Sequence, residues 1–451
     1  MEDVDLIVVG AGQGGVPLAA NAAGAGKRVV LFERKHLGGT CVNVGCTPSK
    51  AFLASAHNAG RARDAAGVHV HCDVRVDVPA VMQRVRSIRN EWHDGVGKKL
   101  ADAGVRVVMK EARFVDKRTL TAGDVTVRAP LVVLDTGTNP ACPPIDGLAE
   151  LPYLTNETFF DLENLPPRIV VIGGGYVGLE LGQGCRRLGA QVTILETGKR
   201  LLPREDEDAT EVLAQALRDD GVDLRVGMGA TCARRGTRFG VKLEDGQEIE
   251  TDAILVAAGR EPNTKALDCG KSGIDLDERG FVTTDAHLRT TCEGVFALGE
   301  VAGQPAFTHV AWEDHRRVEA VLKGEMRTKD DRVLAYSTFT EPQLGRVGMN
   351  EAEARSKGRD VRVATLQLAD DARGTEWNLT RGFYRIVVDA KDEKILGATL
   401  IGYEAGEIVH VILAHIMAGS TWRVLERSVH IHPTFCEALP TLVRQFAGGS
   451  G

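Results

Sequence analysis

Two stretches of the chain repeat one design, and few folds accommodate it. The first runs Asp5-Leu6-Ile7-Val8-Val9, then Gly10-Ala11-Gly12-Gln13-Gly14-Gly15, a helix of small residues, and Val29-Val30-Leu31-Phe32-Glu33. The second runs Arg168-Ile169-Val170-Val171-Ile172, then Gly173-Gly174-Gly175-Tyr176-Val177-Gly178, a helix, and Val192-Thr193-Ile194-Leu195-Glu196. In both, the closing glutamate follows the first glycine by 23 residues. A glycine loop alone is weak information, but an apolar strand before it, a helix after it and an acid at the next strand tip define a dinucleotide-binding βαβ unit. Gly10 and Gly173 permit the tight turn, Gly12 and Gly175 let backbone amides approach a pyrophosphate, and Gly15 and Gly178 let helix and strand pack. Glu33 and Glu196 are expected to accept from ribose hydroxyls, so the chain is expected to hold two dinucleotides.

At 451 residues the chain exceeds one ordinary core, and its 43% apolar content suffices for two to four domains. A net charge of −7 without runs of like charge provides no surface for nucleic acid or anionic lipid and favours small-molecule partners. The start Met1-Glu2-Asp3-Val4-Asp5 is acidic where a signal peptide is basic, and no apolar run approaches a bilayer span of about 20 residues. A cytoplasmic protein without a membrane partner is expected. Of nine cysteines, seven stand alone; Cys41 and Cys46 share the glycine-rich segment Cys41-Val42-Asn43-Val44-Gly45-Cys46. In a cytosolic chain such a pair indicates redox or metal chemistry more readily than a structural staple.

Between the repeats, 80–103 reads as an amphipathic helix and 119–134 as short strands leading to Thr136-Gly137-Thr138-Asn139-Pro140. A similar strand-to-glycine exit recurs at Gly259-Arg260-Glu261-Pro262, and Gly294 to Gly299 forms another apolar strand with Glu300 at its tip. A helix follows over 307–323. From about Ala335 the pattern becomes alternating strands with helices at 405–418 and 437–446, a separate α+β unit.

With Gly38-Gly39-Thr40-Cys41-Val42-Asn43-Val44-Gly45-Cys46-Thr47-Pro48-Ser49-Lys50 added, the chain resembles the class I pyridine nucleotide-disulfide oxidoreductases, from Asp5 to about Leu442. The resemblance implies an α/β protein with two Rossmann-like domains, for FAD and NAD(P), and a C-terminal α+β dimerisation domain. The implied boundaries are 1–148 for the first part of the FAD domain, 149–265 for the NAD(P) domain, 266–334 for the rest of the FAD domain and 335–451 for dimerisation. Gly39, Thr40, Thr136, Gly137, Gly259, Gly299 and Glu300 then belong with the cofactor sites. The family motif ordinarily ends in Gly-Asp, so Glu300 is a departure at the ribityl chain.

The resemblance also distributes roles. Cys41 and Cys46 form the redox disulfide, with Cys46 facing the flavin and Cys41 attacking substrate; a helix start and nearby positive charge favour the thiolate. Lys50, one turn after Cys46, corresponds to a lysine near the flavin, paired with Glu180. His432, in His430-Ile431-His432-Pro433-Thr434-Phe435-Cys436-Glu437, is the general acid/base, oriented by Glu437 and serving the neighbouring subunit of a homodimer. His430 reads as a packing residue. Tyr176 corresponds to the tyrosine that covers the nicotinamide pocket.

Glu196 repels a 2′-phosphate and accepts from a 2′-hydroxyl, favouring NAD(H); Lys199 and Arg200 leave NADP(H) open. Electrons are expected to pass from NAD(P)H through FAD to the cysteine pair and on to a small disulfide or similar electrophile. Dihydrolipoyl dehydrogenase and a mercuric or soft-metal reductase are the alternatives, with a flavin-binding redox sensor further off. No vicinal cysteine pair closes the chain and no N-terminal metal-binding domain is expected; Cys436 reads mainly as packing.

Overall fold

The computed structural model describes residues 1–236 and 238–448, so the last three residues of the expected dimerisation domain lie outside the described residues. Strands Leu6–Val9 and Val29–Phe32 are buried along their whole length, the mark of a parallel sheet covered on both faces. They pair in parallel with one another and lie inside a five-stranded sheet of order Val295–Ala297, Leu131–Leu134, Leu6–Val9, Val29–Phe32, Arg106–Val108. Its edge strand, Val295–Ala297, returns to this sheet long after Leu134. The intervening chain builds a second parallel sheet of order Asp223–Val226, Gln191–Glu196, Arg168–Ile172, Ala253–Val256. An antiparallel sheet of five strands, from Ala335–Thr338 to Ile395–Gly402, carries the helix Ala405–Met417 and completes the fold.

The two glycine exits meet. Thr138–Pro140 pairs antiparallel with Arg260–Pro262, so the point where the chain leaves the first sheet is bonded to the point where it returns from the second. The long helix is Val78–Asp102, capped by the Asp77 side chain on the Ala80 amide at 3.0 Å, with Pro79 in its first turn. It packs on the helix Cys46–Asp64, which packs in turn on Tyr176–Arg187 of the second glycine unit.

The first glycine of each loop is required sterically. Gly10 and Gly173 have φ of +104° and +116°, and a Cβ would lie 2.1 Å from the Asp135 carbonyl oxygen and 2.5 Å from that of Ala257. The same close approach of turn to neighbouring strand is thus built twice.

Candidate active site

Cys41 lies in the short helix Gly39–Val44 and Cys46 is the first residue of Cys46–Asp64, the two helices being separated by Gly45. The pair is present as two thiols, Cys41 half-buried and Cys46 open to a cavity of about 1190 Å³. A hydrogen bond between the thiols lowers Cys46 to about 6 and, together with burial, pushes Cys41 far up. Thr308 Oγ1, 3.0 Å from Cys46 Sγ, and the Lys50 charge also lower Cys46. Thr308 opens the helix Thr308–Leu322. Sequence reading located that helix but missed this hydroxyl, whose only signal was its place in the first turn.

Lys50 Nζ lies 2.7 Å from Glu180 Oε2, and Glu180 Oε1 accepts from the Phe339 amide at 2.9 Å. The Lys50 ammonium also sits over the Phe339 ring, 4.4 Å from its centre. One buried carboxylate therefore joins the cysteine helix, the second glycine helix and the C-terminal unit at the cavity wall. Tyr176 stands one turn before Glu180 on the same helix and lines the same cavity.

The first glycine loop forms the cavity's other end. Gly10, Gly12, Glu33, Gly39 and Thr40 line it, joined by Thr136, Gly137, Gly259 and Glu300; Gly175 brings in the second loop. Gly15, Gly173, Gly178 and Gly299 stand behind the wall as packing positions, each with backbone or an apolar side chain where a Cβ would go. Glu33 and Glu196 play one part twice. Glu33 Oε2 accepts from the Ala11 amide at 2.9 Å, and Glu196 Oε2 from the equivalent Gly174 amide at 2.7 Å. The second oxygen of each holds the turn that follows, through Lys35 N at 2.7 Å and Gly198 N at 2.6 Å. Each acid is fixed before any ribose reaches it.

Glu300 shares a hydrogen bond with the Thr138 hydroxyl and lies 3.0 Å from Arg260 Nε, so its extra methylene carries the carboxylate to the paired exits. Asp135, missed by sequence reading, ends the apolar strand Leu131–Leu134. Its Oδ2 accepts from the amides of Gly14 (3.2 Å) and Gly15 (2.7 Å) at the first helix's start. Burial raises this carboxyl to about 8. The Thr136 hydroxyl is buried in the cavity wall without a partner, a polar group that a ligand there would satisfy. Residues and cavity together fit FAD.

His432 and Glu437 are not part of this cavity. His432 Nδ1 lies 3.0 and 3.1 Å from the two Glu437 oxygens, and its side chain is 74% exposed. It is flanked by Val429 (98% exposed) and Ile431 (79%), an apolar edge of the C-terminal unit. Cys436 is half-buried against the C-terminal core and burial raises its thiol, which favours its reading as packing. His430 Nε2 is buried without a hydrogen-bond partner. No group of three His, Cys, Asp or Glu arranged to hold a metal ion occurs among the described residues.

A cysteine pair set between two dinucleotide cradles, with one thiol lowered by its neighbours, defines a dithiol–disulfide oxidoreductase driven by a flavin and a nicotinamide. The chain belongs to the pyridine nucleotide-disulphide oxidoreductases, whose main domain matches residues 4–314 and whose dimerisation domain matches 334–443. It is a FAD-dependent enzyme that uses a pyridine nucleotide, and its C-terminal domain supports a homodimer. It is 33% identical to the probable pyridine nucleotide-disulfide oxidoreductase RclA of Escherichia coli, over 98% of this chain and 99% of that protein. It is 32% identical to a dihydrolipoyl dehydrogenase of Haloferax volcanii, over 96% of this chain and 94% of that one. The solved Cu(II) complex of the HOCl-induced flavoprotein disulfide reductase RclA from Escherichia coli matches with a TM-score of 0.90 at 32% identity, covering 99% of this chain and 100% of that one. No helix among the described residues is long and apolar enough to cross a membrane.

Proposed function

We propose that the enzyme prefers NADH and reduces a small disulfide or similar electrophile at Cys41. The observation that carries this is the asymmetry of the pair: Cys41, the bond to Thr308 and the nearby Lys50 lower the Cys46 thiol, while Cys46 and burial push the Cys41 thiol up. FAD, when bound, would supply the two-electron redox chemistry that links a nicotinamide to the cysteine pair. Lys50 and Glu180 would hold charge at the flavin ring, and Cys46, which lines the same cavity, would face it. Cys41, once deprotonated, attacks the substrate. His432 of one protomer takes that proton for the Cys41 of its partner, with Glu437 fixing the ring tautomer through Nδ1.

The nicotinamide preference rests on Glu196, whose two oxygens are pinned by backbone amides at the strand tip, where a 2′-phosphate meets a fixed negative charge. Arg200 donates to the Pro203 carbonyl at 2.7 Å, a bond that engages one of its guanidinium nitrogens. The same proposal includes the boundaries 1–148, 149–265, 266–334 and 335–451, and a cytoplasmic location, supported by seven cysteines that stand alone.

A second reading, reduction of a soft metal ion, is favoured by the relative solved as a Cu(II) complex. Two Cu(II) ions would take one electron each from the dithiol, leaving the disulfide, two protons and two Cu(I) ions. A substrate panel of small disulfides, lipoamide, Cu(II) and Hg(II), run with NADH and with NADPH, separates these readings. Turnover of a small disulfide with NADH, at kcat/KM at least about tenfold above NADPH, supports the first. Metal-dependent NADH consumption with inert disulfides supports the second.

A further inference from the structure

Glu205 is buried behind the stretch of cavity wall lined by Tyr176 and Tyr336. Its Oε1 accepts from two phenols at once, Tyr176 at 2.9 Å and Tyr336 at 2.8 Å. Its Oε2 lies 3.2 Å from Nη1 of Arg346, itself 1% exposed. The three rings Tyr176, Tyr336 and Phe307 form one cluster, Phe307 stacked on Tyr336 with centres 4.8 Å apart and Tyr176 set 5.8 and 5.9 Å from the other two. Because Tyr176 and Glu180 are four apart on one helix, their side chains share a face. The Tyr176 ring therefore sits one turn from the Lys50–Glu180 pair, across the approach from the second glycine loop.

The loop that carries Glu205 is bonded to that glycine loop, Leu202 N to Gly174 O at 3.3 Å. Leu202 has φ of +41°, a left-handed conformation that costs energy for a branched side chain and persists only where its surroundings impose it. The chain thus spends strain to put this carboxylate under the two phenols.

We propose that Glu205 is the latch of the nicotinamide gate: it holds Tyr176 closed through one oxygen, while Tyr336 and Arg346 keep the carboxylate in place when the tyrosine swings away. This rests on the reading of Tyr176 as the gate and adds what sets its closed population. Burial and the neighbouring carboxylate keep both phenols protonated, hence donors. When Tyr176 leaves, Glu205 retains Tyr336 and Arg346, so opening exposes no unpaired charge. A nicotinamide that binds only the open form has its apparent affinity reduced by the open fraction.

The test is stopped-flow reduction of the FAD-loaded enzyme across NADH concentrations, giving a dissociation constant and a limiting rate. Tyr176→Phe keeps the ring and removes only the donor. It is expected to tighten apparent NADH binding by about tenfold, with the limiting rate moving less than the affinity. Glu205→Gln, which keeps a weaker acceptor, is expected to fall between it and the wild type; FAD content and melting temperature check folding. Wild-type affinity in both variants, with tighter binding in Tyr176→Ala, overturns the latch and leaves the gate standing. Unchanged affinity in Tyr176→Ala as well overturns the gate itself.

Discussion

Thr308 Oγ1 lies 3.0 Å from Cys46 Sγ, which places a hydroxyl from the first turn of one helix on the sulfur that begins another. Both helix starts favour negative charge. These surroundings lower the Cys46 thiol relative to Cys41, which is the asymmetry that the proposed division of roles between the two sulfurs rests on.

Thr308→Val removes that hydroxyl at nearly constant volume. The Cys46 thiol, lowered to about 6 in the native site, is expected to move up, because a hydrogen bond to its charged form is lost. Thiolate absorbance of the reduced enzyme, titrated between pH 5 and 9, measures the shift. Cys41→Ala removes the largest lowering contribution and is expected to move Cys46 further than Thr308→Val does.

Lys50→Met breaks the 2.7 Å pair and leaves Glu180 buried with the Phe339 amide as its remaining partner. Flavin reduction by NADH is expected to slow by about ten- to a hundredfold, a loss of fixed charge at the reacting ring. Single-turnover kinetics at saturating NADH read this directly, since substrate plays no part in that half-reaction.

His432→Gln is expected to cut turnover by about 10²- to 10⁴-fold while reduction by NADH stays near normal. His432 is 74% exposed and does not line the cavity of its own chain, which is why the proposal assigns it to the partner protomer. Mixing His432→Gln with Cys41→Ser protomers tests this. Hybrid dimers contain one site in which both residues are native, and activity should rise above that of either parent.

Asp135 carries a pH signature of its own. Unfolded, its carboxyl ionises near 3.9; folded, burial raises it to about 8. Between those values the folded chain holds a proton that the unfolded chain has lost. Its contribution therefore weakens as pH rises from about 4 to about 8 and levels off above, at no more than about 1.4 kcal/mol per pH unit. Asp135→Asn is expected to raise the melting temperature of the holoenzyme at pH 8 and to leave it little changed near pH 4.

Much of this site was legible because its parts recur at fixed intervals. The glycine loops, the acids 23 residues on and the cysteine segment are local patterns, and each local pattern has a local physical cause. What escaped the sequence is long-range. Thr308 is 262 residues from Cys46, Asp135 is 120 from Gly15, and Tyr336 is 131 from Glu205. Such pairs are made by topology, by the edge strand Val295–Ala297 returning to the first sheet and by the C-terminal sheet closing over the second. Glu300 illustrates the difference. Its place at a strand tip was readable, while its attachment to Thr138 and Arg260 follows from the pairing of two exits far apart in sequence.

Anaerobic titration of the FAD-loaded enzyme with NADH tests the central claim most directly. The first two reducing equivalents are predicted to produce a long-wavelength absorbance from the Cys46 thiolate against the flavin, fading as pH falls through about 6 and missing from Cys46→Ser. Bleaching of the flavin from the first addition, with no such absorbance at any pH, would contradict it.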